Sequence, residues 1–450
     1  MTTTVVRGKH VLTSAEVGAV ADGAVAFEDG KIIDVGKWDH IGERHKDAEV
    51  VGDGFGIVMP GLVNCHGHFS EGLITGLGEN MSLFEWIERI IRPVAPHITR
   101  EMAKVGATLK SVEMLASGVT TVNDMFVCLP GRSGPITPGV VEALDQVGLR
   151  GQVSFGAQDA WGAVALTEIF DEHEALAAAA ALTRRIQFRL GIATVLLQSR
   201  ELFRRSIECS HREGWAIHTH FHEVREEVTS SRIANGKTVI EHAAQAGLLD
   251  LPVLGAHCVW VSDNDVRLLA RHGVSVAYNP VANMILASGI CPVRQLRREG
   301  IHVGLGTDGP ASNDSQDMLQ VVKIAALVQK LASLDATAMS APEVLEMATI
   351  EGARALGIST EVGSLERGKQ ADLVLLSGNS PALANIHDPY QAVVYCAGGR
   401  DVSDVWVAGE RILRAGRPVN IDTDALFRAA REQASFLVKK SGLSLSVMHR

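Results

Sequence analysis

The chain contains no Cys-x-x-Cys pair; its six cysteines, at 65, 128, 209, 258, 291 and 396, are scattered. Scattered cysteines fit free thiols in a reducing cytoplasm. There is no long basic block and the formal net charge is −10, which argues against a nucleic-acid partner. No apolar run approaches the roughly 20 residues of a membrane span. The opening Met1-Thr2-Thr3-Thr4-Val5-Val6-Arg7 lacks the basic and apolar regions of a signal peptide, so a cytoplasmic location away from membranes is expected. No fixed-period repeat is visible either. What is present is an ordinary globular composition: 450 residues, 46% hydrophobic and 21% charged. That is enough for one large domain and a smaller one.

Short strands with turns mark both ends. Val25-Ala26-Phe27 and Lys31-Ile32-Ile33-Asp34-Val35 flank a Glu28-Asp29-Gly30 turn, a hairpin signal. The same texture returns at Ala371 to Leu376, Val402 to Val407 and Arg411-Ile412-Leu413. A single β-sandwich domain built from residues 1–57 and 362–420 is the expectation. Residues 421–450 read as a helical extension with Leu426, Phe427, Ala430, Phe436 and Leu437 on an apolar stripe. The Ala-rich tract from Ala175 to Ala181 is helical.

Between these ends, over residues 58–361, eight apolar strands alternate with helical patterns. They begin at Leu62-Val63 and continue through Val119–Val122, Gly151–Phe155 and Phe188–Ile192, then Ala216–Thr219, Val253–Ala256, Val274–Ala277 and His302–Leu305. Such alternation predicts parallel βαβ units, and eight of them close a (β/α)8 barrel, a TIM barrel of the α/β class.

Reactive residues of such barrels gather at the C-terminal strand ends. Pro60-Gly61-Leu62-Val63-Asn64-Cys65-His66-Gly67-His68 places two histidines one residue apart, on one face of an extended segment. Strand five runs into His218-Thr219-His220-Phe221-His222-Glu223, strand six into His257-Cys258, and strand eight into Thr307-Asp308-Gly309. Neutral imidazoles with a carboxylate suit one divalent ion such as zinc.

The chain resembles the amidohydrolase superfamily, within it the triazine hydrolases and the adenosine-type and cytosine-type deaminases. The matching text is Pro60-Gly61-Leu62-Val63-Asn64-x-His66-x-His68, Ile217-His218-x-His220-x-x-Glu223 and Ala256-His257-Cys258-Val259. It continues through Asn279-Pro280-Val281-x-Asn283 to Ser288-Gly289-Ile290, Gly304 to Asn313, and Gly363-Ser364-Leu365 to Leu373. The resemblance implies His66, His68, His220 and Asp308 as metal ligands, Glu223 as proton shuttle and His257 beside the activated water. It also implies a homo-oligomer acting on a small molecule without organic cofactor. Two-metal members bring a bridging lysine from strand four. Leu190-Gly191-Ile192-Ala193-Thr194 has none, so one ion is expected, zinc first, with iron, manganese or cobalt accepted by the same donors.

By the resemblance, water attacks an sp² carbon, Asp308 takes the water's proton, His257 steadies the oxyanion and Glu223 protonates a ring nitrogen or the departing amine. His218 is expected behind the ligands rather than among them, and His222 is expected to have no special role. Nucleoside-handling members place a glutamate, an arginine and a histidine where this chain has Ala95, Phe155 and Ala193. The expected lining is therefore Trp86, Phe155, Trp161 and Ala193 with Glu223. The expected reaction is deamination of a small neutral nitrogen heterocycle of pyrimidine, pterin or triazine type. Hydrolysis of a carbamate, urea, amide or aryl halide is the alternative.

Overall fold

The structure, a computed structural model, describes residues 3–14, 18–130, 134–162 and 164–443. The terminal segments hydrogen-bond into one nine-stranded sheet. Its N-terminal half contains the hairpin Gly18–Glu28 and Lys31–Lys37, closed by Asp29 and Gly30 at φ 50° and 78°. Positive φ at both turn residues matches the right-handed twist of the strands, which is why an Asp-Gly pair sits there. Ile57–Pro60 runs antiparallel to Leu373–Leu376 and joins the two halves, Leu373 opposite Pro60. The chain then leaves the sheet at Gly61, where a Cβ would lie 2.1 Å from Thr120 Oγ1, so only glycine fits the step into the barrel.

Eight parallel strand positions follow: Leu62–Gly67, Val119–Phe126, Arg150–Phe155, Ile186–Phe188 with Leu190–Thr194, Ile217–Phe221, Val253–His257, Ser275–Tyr278 and Val303–Leu305. The fourth is broken at Arg189; its first piece pairs with the third strand and its second with the fifth. The eighth meets the first through a single parallel bridge between Gly67 and Asp308, with Asp308 N donating to His66 O at 2.9 Å. That last bridge brings the aspartate to the histidine strand.

The helices between strands carry the caps their sequences supply. Thr99 accepts from Met102 N at the start of Arg100–Ala116, and Ser262 accepts from Asp265 N at the start of Asp263–Arg271. The C-terminal helix Thr423–Lys440 packs on Arg100–Ala116, burying Leu426, Ala430 and Leu437. Phe427 and Phe436 are 39% and 50% exposed, unlike the stripe expected from sequence. Only positions four and eleven residues from Leu426 share its face. The end of the expected extension, 444–450, lies outside the described residues. Among the described residues no helix is long and apolar enough to cross a membrane.

Candidate active site

Four side chains meet where strands one, five and eight end. His66 is buried within strand one, and alternation turns His68 to the same side. The His68 Nε2 atom lies 3.2 Å from His220 Nε2 and 3.4 Å from Asp308 Oδ1. His66 Nε2 is 3.5 Å from the same Asp308 oxygen and has no hydrogen-bond partner. His68 Nδ1 lies 2.6 Å from Met125 O, and His220 Nδ1 lies 2.5 Å from Ala193 O. A carbonyl only accepts, so both Nδ1 atoms carry the proton and both Nε2 atoms present lone pairs. Two lone pairs facing each other across 3.2 Å repel unless a cation lies among them. Ligands at about 2.0–2.1 Å in a tetrahedron stand about 3.3–3.4 Å apart, and these separations match that figure. The donor set fits a divalent ion. Burial lowers the pKa of His66, and that of His220 to about 4, so both are neutral near pH 7.

A second pair completes the site. His257 Nδ1 receives the Asn283 amide at 3.1 Å, with the Asn279 amide at 3.4 Å. An accepting Nδ1 leaves the proton on Nε2, which lies 3.5 Å from Glu223 Oε2 and 3.7 Å from Asp308 Oδ2. Glu223 Oε1 accepts from Ser288 Oγ at 3.0 Å, and its backbone N–H donates to Glu227 Oε2 at 2.6 Å. Burial first, then Asp308 and Glu227, push the Glu223 carboxyl well above the usual range, which favours its protonated form. His257 and Asp308 take φ of 71° and 64°, a left-handed conformation that side-chain-bearing residues adopt at a cost.

The two remaining histidines brace their neighbours. His218 Nε2 lies 2.8 Å from His66 Nδ1, and its own Nδ1 is met by Ser154 Oγ at 3.1 Å. His222, expected to be unremarkable, is buried at φ 50° and its Nε2 accepts from Val239 N at 3.1 Å. Its carbonyl receives Val259 N and Trp260 N, which ties the loop carrying Glu223 to the strand-six loop. Asn283, Ser288, Ser154 and Glu227 escaped sequence reasoning. Asn283 and Ser288 sat in a matched motif with no chemistry of their own, and nothing local marked the other two.

Residues 57–412 match the amidohydrolase family. The chain belongs to the amidohydrolase family. Over 440 residues it is 33% identical to a 5'-deoxyadenosine deaminase of Methanosarcina mazei, covering 97% of this chain and 98% of the relative. Over 443 residues it is 35% identical to a 5-methylthioadenosine/S-adenosylhomocysteine deaminase of Desulforudis audaxviator, covering 96% and 99%. A crystal structure of an adenosine deaminase from Xanthomonas campestris with bound zinc superposes with a TM-score of 0.89 at 30% identity, covering 97% of this chain and 98% of that one.

In this amidohydrolase a cavity opens above the cluster, and Trp86, Trp161, Ala193 and Glu223 line it. Trp86 is fixed by its indole N–H, which donates to Ala311 O at 3.1 Å. Phe155 does not line it. Ser154 points inward to His218, so the next side chain points outward, and the Phe155 ring sits 5.2 Å from that of His173 on helix Leu166–Ala181. Ala95 is buried and likewise not in the wall. Among the described residues five acids line the cavity, Glu71, Glu88, Glu223, Glu227 and Asp308, and no lysine or arginine does.

Proposed function

We propose that this amidohydrolase is a mononuclear metal-dependent aminohydrolase that removes an amino group from a small nitrogen heterocycle. His66, His68, His220 and Asp308 hold one divalent ion, zinc first. The observation that carries this is the pair of facing Nε2 lone pairs at 3.2 Å beside an unpartnered His66 Nε2. Bound there, the ion supplies Lewis acidity that makes a water nucleophilic near neutral pH. Asp308 accepts the proton that this water gives up. His257 donates a hydrogen bond from its Nε2–H to the oxygen that develops at the attacked ring carbon. Glu223, in its carboxylic-acid form, delivers its proton to the departing amine and recovers one through Asp308. Ser288 and the Glu227 cap keep the Glu223 carboxyl aimed.

Similarity to two families of nucleoside deaminases supports departure of an amine from a ring. The lining supports a ring smaller than adenosylhomocysteine. Among the described residues no lysine or arginine stands in the wall to partner an amino-acid carboxylate, and burying one unpaired costs about 1–3 kcal/mol or more. Trp86 and Trp161 supply flat apolar faces for a ring. The test is elemental analysis of the purified protein together with an ammonia-release screen over aminopyrimidines, aminotriazines, aminopterins, 5'-deoxyadenosine and adenosylhomocysteine. One ion per chain and ammonia from a compact ring are expected. Two ions per chain, or adenosylhomocysteine as the preferred substrate, overturn the proposal.

A further inference from the structure

Behind the catalytic cavity lies a second concavity that the proposed reaction leaves unused. It is a groove of about 580 Å³, bounded by residues 195–198 and by helices Arg200–Glu213, Arg225–Asn235 and Val239–Gln245. Leu196 lines both the cavity and the groove, so the two share a wall. Helix Arg225–Asn235 is shared as well. Its Glu227 lines the cavity, and Ser231, one turn further on, lines the groove.

The groove carries polar atoms that the protein itself does not satisfy. Ser231 is only 1% exposed, and its hydroxyl has no hydrogen-bond partner. Gln198 donates its amide nitrogen to Ala157 O at 3.1 Å, which fixes the amide's orientation and leaves Oε1 buried without a donor. The charges are uneven too. Arg204 is held by Glu201 at 2.7 Å and by Glu208, so the Glu208 carboxylate is answered. Arg200 has no ion pair or hydrogen bond among the described residues, and it is the charge of the lining left without a counter-charge. The rings of Phe203 and His242 stack at 5.5 Å and 25°. Burial first, then Lys237 and Arg200, lower the His242 pKa, so its ring offers an uncharged face.

These features narrow the chemistry of an occupant. Buried polar atoms without partners are rare in folded proteins, and a ligand that supplies the missing bonds accounts for them. Gln198 Oε1 only accepts, so its partner brings an N–H. An unpaired guanidinium calls for an anion. Stacked rings beside Val195 and Ile207 call for a flat apolar face. The volume lies within the range of about 300–1,000 Å³ usual for small-molecule sites.

We propose that this groove is a second ligand site, for a planar nitrogen heterocycle that carries one anionic group and a ring N–H. The site is independent of the reaction assigned to the cavity, and its test does not use turnover.

The probes are orotate, uracil and benzoate, which offer a ring N–H with a carboxylate, the N–H alone and the carboxylate alone. Binding to the metal-loaded native protein is measured by calorimetry. Orotate is expected to bind about one per chain, roughly tenfold or more tighter than either of the others. Arg200→Gln is expected to weaken orotate by about tenfold or more at unchanged metal content. Ser231→Ala is expected to weaken orotate by about threefold or more without lowering the thermal midpoint, because the hydroxyl it removes bonds nothing in the free protein. No heat from orotate at millimolar concentration overturns the proposal. So does orotate binding that Arg200→Gln leaves intact, which would put the carboxylate on the metal or elsewhere. Uracil bound as tightly as orotate overturns the anionic requirement, and benzoate bound as tightly overturns the N–H requirement. A lower midpoint for Ser231→Ala with orotate affinity unchanged makes Ser231 a structural residue and removes it from the site.

Discussion

The two ends of the barrel bury polar groups in opposite ways. At the N-terminal end Arg189 interrupts the fourth strand and is buried without a carboxylate partner. Its guanidinium donates to Gln152 Oε1 at 2.6 Å, Leu356 O at 2.9 Å and Ile217 O at 3.4 Å. Burial lowers its pKa only to about 10, so it stays charged and its donors are answered by oxygen atoms. At the C-terminal end the imidazoles face each other with lone pairs, His66 Nε2 has no partner, and His222, His257, Cys258 and Asp308 around them are held at positive φ. The floor is closed by its own hydrogen bonds, and the mouth is left short of them. A buried polar cluster whose atoms satisfy one another stabilises the fold, whereas one whose atoms lack partners marks a place for a ligand.

The largest expected effect comes from breaking the mouth. His220→Ala removes one of the facing nitrogens, and we expect ion content to fall and turnover to drop to background, read by elemental analysis and ammonia assay. A variant that keeps its ion and its rate would show that the cluster is not the site. Glu223→Gln keeps the Ser288 contact and removes the proton, so the ion should stay while kcat falls by about 10²–10⁴-fold. A rate within a few-fold of native would remove Glu223 from the mechanism.

Breaking the floor should give the reverse pattern. Arg189→Met leaves Gln152 Oε1 and two carbonyls without their donor, and a loss of about 1–3 kcal/mol in unfolding free energy is expected, with kcat and metal content unchanged. A large fall in kcat at native stability would erase the distinction between the two ends.

The smallest expected effect lies between them. His173 is fully buried among the rings of Phe155, Phe170 and Phe188, and neither ring nitrogen has a partner. Burial alone takes its pKa to about 3. With a folded value below the unfolded 6.5, the unfolded chain binds the extra proton, so stability is full above pH 6.5 and declines as pH falls toward 3. His173→Phe should flatten that decline by about one proton, roughly 1.4 kcal/mol per pH unit, in denaturant titrations between pH 6 and 4. An unchanged slope would place the proton uptake elsewhere.

Much of this was legible in the chain. Alternation of apolar runs with helical periods gives parallel strands, and a His-x-His at a strand end puts two imidazoles on one face because side chains alternate. The same alternation, carried from the inward Ser154 to Phe155, would have turned Phe155 away from the cavity. What the sequence could not decide is which atoms are left without partners. The tautomers of His68, His220 and His257 depend on Met125 O, Ala193 O and the Asn283 amide, each supplied by a different strand or loop. The helix face that hides Leu437 and exposes Phe436 depends on where Arg100–Ala116 lies. Gln198 reads in sequence as one more polar residue before a helix. Its free oxygen exists only because Ala157 O, 41 positions away, takes the amide nitrogen. Local residues determine element type and which faces carry chemistry. Hydrogen-bond satisfaction is a sum over contacts distant in sequence, and only the folded chain performs it.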